Sequence, residues 1–434
     1  MRITRSGISA STTAVTATMQ ARAWLALIGV GLPLVLPLAA AGLAQVLGTA
    51  WQQLDGPAAV TDFLAYYTGG RLLVEYPAGL YDHATVVAVE QALQGGAGEY
   101  LPYLAPPQAA VLMAPLARLG YGQAYLVWGL AGLVSLAMSA WLLAPRLWGR
   151  WSWLVWLAAA PLFLPVQETF LRGQTSLLSL LATCLVIRGV LGSPRLGPVA
   201  GVLPLTWKPQ MLPVYVLALA LDRRWHLLAH LGGVTVLVVL PALVWAGPDV
   251  LLAFVQTMRD GVSAAGAADV PAGLSLLGLW QGWLGTGTLA SVLAVSSGAG
   301  ALGLQAWLWR GGLRSDARRW LQLAALPLLA VLASPHALYY EMTTWLASAW
   351  LLLQYTEVEP DARGPVRLTL VVGWLLSTIE LLPGWNSSTH WGTVAGLVAL
   401  GVISWLFRAG ATDDRSAARS RGWLPSSGWR PTWR

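Results

Sequence analysis

The chain has 434 residues, of which 56% are hydrophobic and only 10% are charged, whereas about a quarter of the residues of an average soluble domain are charged. This composition excludes an ordinary soluble globular fold, and a single cysteine excludes an intrachain disulfide. The net charge of +7 suggests a nucleic-acid partner only if the charges form one surface, and their positions along the chain indicate otherwise.

Apolar runs of about 18 to 25 residues recur along the chain, and this is the length that a helix needs to cross a bilayer. They predict an all-α, polytopic transmembrane bundle of ten to twelve crossings. A proline-broken stretch at 197–221 begins and ends beside arginines, so it crosses an even number of times, as two kinked spans or a re-entrant hairpin. The other predicted spans are 23–48, 121–145, 151–167, 174–192, 226–246, 287–309, 318–334, 341–356, 367–383 and 391–408.

The arginines collect in the breaks between alternate apolar runs, with 21 on one side of the predicted membrane and four on the other. Because cytoplasmic loops carry such an excess, both termini are expected in the cytoplasm of a cell-membrane protein. Residues 1–22 are then a cytoplasmic tail, 23–408 the transmembrane domain, and 409–434 a disordered cytoplasmic tail. The two long loops, 51–120 and 247–286, face outward, and function is expected there.

The outward-facing segments carry a series of short motifs. They are Asp-Phe-Leu-Ala-Tyr-Tyr at 62–67, Leu-Tyr-Asp at 80–82, Pro-Pro at 106–107 leading to Pro-Leu-Ala at 115–117, Arg-Gly-Gln at 172–174, Lys-Pro at 208–209 and Ser-Pro-His at 334–336. In this order they resemble glycosyltransferase family 87, polytopic α-mannosyltransferases of the GT-C type that use polyprenyl-phosphate mannose. The chain departs from the family pattern at Tyr340-Glu341, where Tyr-Asp is common.

The resemblance implies a GT-C bundle with helices in its outer loops. It implies transfer of a hexose, mannose in the family, from a polyprenyl-phosphate sugar to a lipid or glycan acceptor outside the cytoplasm. It also implies that Asp62 is the catalytic residue.

The residues themselves suit this chemistry, since an acceptor hydroxyl must lose a proton as it attacks the anomeric carbon. Asp62 is the candidate base, and Tyr66 and Tyr67 beside it are candidates for a sugar platform. The alternative is that Asp62 only caps a loop helix, because aspartate is a favoured N-cap residue.

Two cations are candidates for the leaving phosphate. Arg172 lies on the side where arginine is scarce, and a guanidinium binds phosphate through two hydrogen bonds; the alternative is a local ion pair with Glu168. Lys208 is the only lysine and lies in an apolar stretch, so it faces a cavity, reaches the interface or pairs with a buried acid.

Three further residues, His336, Tyr340 and Glu341, are predicted to face the same aqueous cavity as Asp62. His336 is a candidate phosphate ligand or proton relay, and the alternative is an interfacial histidine whose polar groups are satisfied locally. Gln174 is a candidate donor to a sugar hydroxyl, and the alternative is that it only ends the loop. Tyr340 and Glu341 follow His336 in the same outer connector. No metal or other cofactor is expected, because paired Asp-x-Asp ligands and nucleotide-binding signatures are both missing from the sequence.

Two alternatives come from other classes of protein. A transporter or flippase of a lipid or glycolipid fits the hydropathy, but ion-coupled transporters place acids in the middle of their spans. Here the acids lie in loops and at outer span ends, which favours chemistry at the membrane surface. The second alternative is a non-catalytic lipid-binding scaffold.

Overall fold

The computed structural model describes residues 29, 33, 35–54, 56–96, 98, 100–146, 149–192, 207–264, 273–314, 316–380 and 390–420. Seventeen α-helices and no strand occur in these ranges. The helices are α1 Val35–Leu54, α2 Asp62–Glu75, α3 His83–Leu93, α4 Pro107–Met113, α5 Tyr121–Leu143, α6 Ser152–Ala159, α7 Leu164–Arg172, α8 Ser176–Val190, α9 Leu212–Leu221, α10 Trp225–Ala246, α11 Asp249–Ala264, α12 Leu276–Leu284, α13 Thr288–Leu308, α14 Arg318–Leu332, α15 Trp345–Val358, α16 Arg363–Ile379 and α17 Trp391–Ser420.

The prediction of an all-α, polytopic membrane protein is confirmed. Within the described residues, α1, α5, α10, α13 and the first part of α17 are long and apolar enough to cross a membrane. A sixth candidate is the pair Gly149–Leu162 and Leu164–Arg172, which bends by 76°. The remaining predicted spans correspond to the shorter helices α8, α14, α15 and α16, so the total of ten to twelve crossings stays a prediction.

Two predicted segments extend beyond the described residues. The proline-broken stretch at 197–221 is described only from residue 207, where a 3-10 turn at Pro209–Met211 leads into α9. The last helix continues to Ser420, past the predicted end of the span at residue 408. The first part of the predicted disordered tail is therefore helical, and Ala417 and Ala418 there favour a helix.

Helix α14 is the centre of the bundle. Every residue from Trp320 to Leu332 is buried, as expected of a helix that is surrounded by protein on all sides. Helix α15 packs against it, and α5 packs against α8. Gly132 of α5 permits this second contact, because a Cβ there would lie 3.1 Å from a methyl carbon of Leu177. Small residues let helices approach closely where lipid offers no hydrophobic driving force.

The long loop at 51–120 folds into a compact unit of α2, α3 and α4 rather than an open connection. Two adjacent glycines of α2 make this packing possible. A Cβ added at Gly69 would lie 2.3 Å from the Tyr103 ring, and a Cβ added at Gly70 would lie 2.6 Å from the Met113 backbone. Asp82 caps α3 by accepting a hydrogen bond from the Thr85 backbone at 2.9 Å. The predicted loop helices are therefore present.

A buried acid in α3 makes the stability of this unit depend on pH. Glu90 is fully buried, its Oε2 accepts from the Leu101 backbone at 2.9 Å, and its Oε1 has no hydrogen-bond partner among the described residues. Burial raises the pKa of Glu90 from 4.5 to about 7. The folded state therefore binds this proton more tightly than the unfolded state, and stability falls as pH rises through that interval.

We expect the thermal midpoint of the wild-type chain to fall by a few degrees from pH 5 to pH 8, relative to that of Glu90→Gln. Glutamine keeps an acceptor for Leu101 and cannot ionise. Tryptophan fluorescence of the detergent-solubilised proteins measures both midpoints. Parallel pH profiles for the two proteins would contradict a buried, titrating Glu90.

Candidate active site

Asp62 begins helix α2, which belongs to the folded segment at 51–120. Thr61, in an extended conformation, precedes the helix in the N-cap position. The alternative that Asp62 is the N-cap residue of this helix is therefore wrong. Its carboxylate is half-buried, and Oδ2 accepts a hydrogen bond from Gln174 Nε2 at 2.7 Å. A carboxylate in the first turn is also stabilised by the helix dipole.

Gln174 is the centre of a hydrogen-bond network that joins three separate parts of the chain. Besides Asp62, its Nε2 donates to the Tyr340 hydroxyl at 2.9 Å, and its Oε1 accepts from the Tyr66 hydroxyl at 3.2 Å. Burial and the nearby Asp62 raise the pKa of both tyrosines. Their hydroxyls thus remain protonated at neutral pH.

The turn at Gly173 holds Gln174 in this position. Gly173 ends α7 in the left-handed conformation with φ of 63°, and an added Cβ would lie 2.5 Å from Cβ of Phe63. Only glycine fits both conditions. Trp128 Nε1 donates to the Gly173 carbonyl at 2.8 Å, which fixes the turn against α5. The start of α2 and the Arg-Gly-Gln segment are therefore in direct contact.

A buried ion pair lies beside the network. The Lys208 ammonium pairs with Glu341 Oε1 and donates to Ser176 Oγ at 3.1 Å, while Ser176 Oγ donates to Glu341 Oε2 at 3.2 Å. Lys208 and Glu341 are only 5% and 4% exposed, so their charges compensate each other. The ammonium also lies 5.3 Å from the centre of the Tyr340 ring. This arrangement is the pairing with a buried acid that the sequence analysis left open.

Arg172 is the accessible cation of the site. Its side chain is 52% exposed, and its Nε bonds Glu168 Oε2 at 3.0 Å, so the local ion pair considered from the sequence is present. The guanidinium also interacts electrostatically with Asp62. Its two terminal nitrogens form no hydrogen bond with the described part of the chain, which leaves them available to an anion.

Two predicted residues lie outside the network. Tyr67 donates to the Leu119 carbonyl at 2.7 Å and packs against Phe63 and Tyr121, so it belongs to a buried apolar cluster. His336 is half-buried in the connector after α14, where its backbone nitrogen donates to Ser334 Oγ at 3.3 Å. Neither bonds the Asp62 carboxylate or the Gln174 amide.

Sequence reasoning missed two parts of the site. Ser176 bridges Lys208 and Glu341. In the sequence, only its position two residues after Gln174 indicated that it could belong to the site. Thr169 Oγ1 lies 3.0 Å from Thr343 Oγ1 and ties α7 to the 3-10 segment Tyr339–Thr344. Within the described residues, no group of three His, Cys, Asp or Glu side chains is placed to share a metal ion.

An apolar groove of 440 Å³ begins one turn beyond Glu341, at Trp345. It lies between α15, α16, α17 and the bent segment before α7, and polar groups contribute little to its walls. Residues that represent these elements along its length are Phe163, Trp345, Leu353, Gly373 and Ala399.

A polar site with a carboxylate, at one end of a bundle of membrane helices, is an arrangement suited to a membrane enzyme that acts on lipid-linked substrates. The chain belongs to glycosyltransferase family 87, whose model matches residues 103–335. It is therefore a membrane glycosyltransferase rather than a transporter or a scaffold. Gln174 and Lys208 lie within the matched residues, whereas Asp62 precedes them and Tyr340 follows them.

The chain is also similar to a mannosyltransferase whose name states its donor. A polyprenol-phosphate-mannose-dependent alpha-(1-2)-phosphatidylinositol pentamannoside mannosyltransferase of Mycobacterium tuberculosis (strain CDC 1551 / Oshkosh) is 28% identical over 388 residues. The alignment covers 82% of this chain and 83% of that protein. No solved structure matches the chain.

Proposed function

We propose that this glycosyltransferase moves mannose from polyprenyl-phosphate mannose to a lipid or glycan acceptor on the extracytoplasmic side of the membrane. The observation that carries the proposal is the half-buried Asp62 carboxylate, held by Gln174 beside an accessible arginine. The mannosyltransferase relative supports the donor, because its name states dependence on polyprenol-phosphate mannose.

The proposed reaction is a single displacement at the anomeric carbon. The acceptor oxygen forms a bond to this carbon as its proton passes to Asp62, and the bond from the carbon to the phosphate oxygen breaks. The electron pair leaves with the polyprenyl phosphate, and the configuration inverts. Gln174 holds the carboxylate through its hydrogen bond, and Tyr66 and Tyr340 hold Gln174.

The two cations are assigned different roles in this proposal. The phosphate gains negative charge as the bond breaks, and the exposed Arg172 is placed to bind it through its terminal nitrogens. The Lys208 ammonium already forms an ion pair with Glu341, so we assign Lys208 as a positioning residue that holds Tyr340 and Glu341. His336 stays a predicted phosphate ligand.

The function is tested with membranes that contain the chain and a panel of polyprenyl-phosphate sugars carrying mannose, glucose, galactose or arabinose. Transfer from the mannose donor above the level of membranes without the chain is expected. Transfer from another member of the panel alone would overturn the choice of mannose. Transfer from GDP-mannose in the absence of polyprenyl phosphate would overturn the lipid-linked donor.

The groove that begins at Trp345 is proposed to hold the prenyl chain of the donor. Gly373 lines the groove, and an added Cβ there meets nothing within 4 Å, so Gly373→Phe is chosen to place a ring in the groove. We expect it to lower kcat/KM for a long-chain donor by about tenfold or more, since each buried CH2 contributes about 0.8 kcal/mol. A donor with two prenyl units is expected to react as with the wild-type chain.

Gly303→Phe is the matched control, because Gly303 is exposed on α13 and also has open space around it. It should leave both donors unaffected. Equal losses for the short and the long donor with Gly373→Phe would contradict the assignment of the groove to the chain.

The proposed topology is tested by cysteine labelling, since the native Cys184 is buried. Glu75 at the end of α2 and Arg150 before α6 are both exposed. A membrane-impermeant maleimide is expected to label Glu75→Cys in intact cells and Arg150→Cys only after permeabilisation. The reverse pattern would place Asp62 in the cytoplasm and contradict the proposed side of the reaction.

A further inference from the structure

A second groove lies between α13 and α17, on the surface of α14. Its volume is 260 Å³, and Leu332 of α14 contributes to its floor. The residues along its two walls are Ser297, Gly300 and Leu304 of α13 and Leu397, Gly401 and Ser404 of α17. Gly300 and Gly401 are exposed, so the groove is open toward the surroundings of the bundle.

Two aromatic rings lie one helical turn beyond the residues that line the groove. The next turn of α13 carries Trp307 and the next turn of α17 carries Phe407, and the two ring centres lie 5.3 Å apart. Two exposed arginines flank Trp307, with their guanidinium carbons 5.7 Å (Arg310) and 5.2 Å (Arg408) from the ring centre. Neither arginine forms an ion pair with an acid whose side chain the structure describes.

This end of the groove is remote from the candidate active site. Arg310 precedes α14 and the segment with Tyr340 follows it, and α14 from Arg318 to Leu332 is about 20 Å long at 1.5 Å per residue. A phosphate bound here is therefore not the phosphate of the reacting donor. An arginine that is stacked on an aromatic ring keeps its N–H edge free for a phosphate.

We propose that this groove binds an anionic phospholipid of the bilayer, with one acyl chain between α13 and α17 and the phosphate between Arg310 and Arg408. The groove supplies the apolar surface, and the arginine pair supplies the complementary charge at its end. Basic pockets between membrane helices are a known form of headgroup site. The proposal does not depend on the sugar or the acceptor of the enzyme.

Native mass spectrometry of the full-length protein in detergent, titrated with phosphatidylglycerol or phosphatidylcholine, tests this site. We expect phosphatidylglycerol to bind more tightly than phosphatidylcholine. R310Q and R408Q should each weaken the affinity for phosphatidylglycerol about fivefold, the effect of removing one charge that contacts an anionic headgroup. The matched control is R150Q, because Arg150 is exposed and stacks on Trp151 at 5.0 Å, away from the groove. Losses no larger than that of R150Q would overturn the headgroup site.

The groove is tested with Gly401→Phe, where an added Cβ meets nothing within 4 Å, against Gly303→Phe outside the groove. Only Gly401→Phe should weaken binding of phosphatidylglycerol, and equal binding by both variants would overturn the acyl-chain assignment. Displacement of phosphatidylglycerol by an equal amount of polyprenyl phosphate would also overturn the proposal, because the groove would then be a donor site.

Discussion

Asp62→Asn is expected to lower kcat of sugar transfer by about 100-fold to 10,000-fold, the usual contribution of a general base. Asparagine keeps the size of the side chain, and its carbonyl oxygen still accepts from Gln174 Nε2, which donates to Asp62 at 2.7 Å in the wild-type chain. It cannot take the proton of the acceptor hydroxyl. The loss should therefore appear in kcat, with little change in the KM of the donor.

The matched control for this substitution is Asp82→Asn in the same unit of α2, α3 and α4. Asp82 is exposed and caps α3, and asparagine caps helices about as well as aspartate. Its transfer rate should equal that of the wild-type chain. An Asp62→Asn protein with the wild-type thermal midpoint and the wild-type rate would rule out Asp62 as the base.

Tyr340→Phe distinguishes the base from its supporting network. The phenyl ring keeps the packing beside Lys208 but loses the hydroxyl that accepts from Gln174 at 2.9 Å. A single hydrogen bond contributes about 0.5 to 1.5 kcal/mol, so the rate should fall by only about tenfold. A loss as large as that of Asp62→Asn would show that the hydroxyl itself takes part in the chemistry.

The fold class was predictable from the sequence because the bilayer restricts a chain to few solutions. Runs of apolar residues such as 121–145 and 226–246 must form helices in hydrocarbon, where every backbone polar group needs an internal partner. The corresponding helices, α5 and α10, agree with these boundaries within about two residues. The bend of 76° before α7 was not predicted, because Pro161 and Pro165 mark a possible break but not its angle.

The contacts of the candidate site could be predicted only in part. Asp62 and Tyr340 were predicted to face one cavity, whereas Gln174, which was predicted only to contact a sugar, is the residue that joins them through hydrogen bonds. The partner of Lys208 was left open, because Glu341 is 133 residues away in the chain and periodicity gives no information on such a contact. Tyr67 follows Tyr66 directly, so helical geometry turns the two rings toward different neighbours.

Lys208→Met is expected to destabilise the chain strongly, because it leaves the Glu341 carboxylate buried without its counter-charge. Removing one partner of a buried ion pair costs about 3 to 5 kcal/mol. The double variant Lys208→Met with Glu341→Gln removes both charges and leaves a glutamine that still bonds Ser176. We therefore expect its thermal midpoint to lie above that of the single variant, and transfer activity to recover in part.

The same pair of variants separates positioning from direct contact with the donor. If Lys208 acts through Glu341 and Tyr340, its loss disturbs the support of Gln174, so kcat falls together with stability and both recover in the double variant. If Lys208 instead binds the donor phosphate, Lys208→Met raises the donor KM, leaves the thermal midpoint near the wild-type value, and gains nothing from Glu341→Gln. The coupling free energy between the two substitutions, measured in a double-mutant cycle of stability, decides the role of Lys208. Only the ion pair predicts that the double variant is much more stable than the sum of the two single effects.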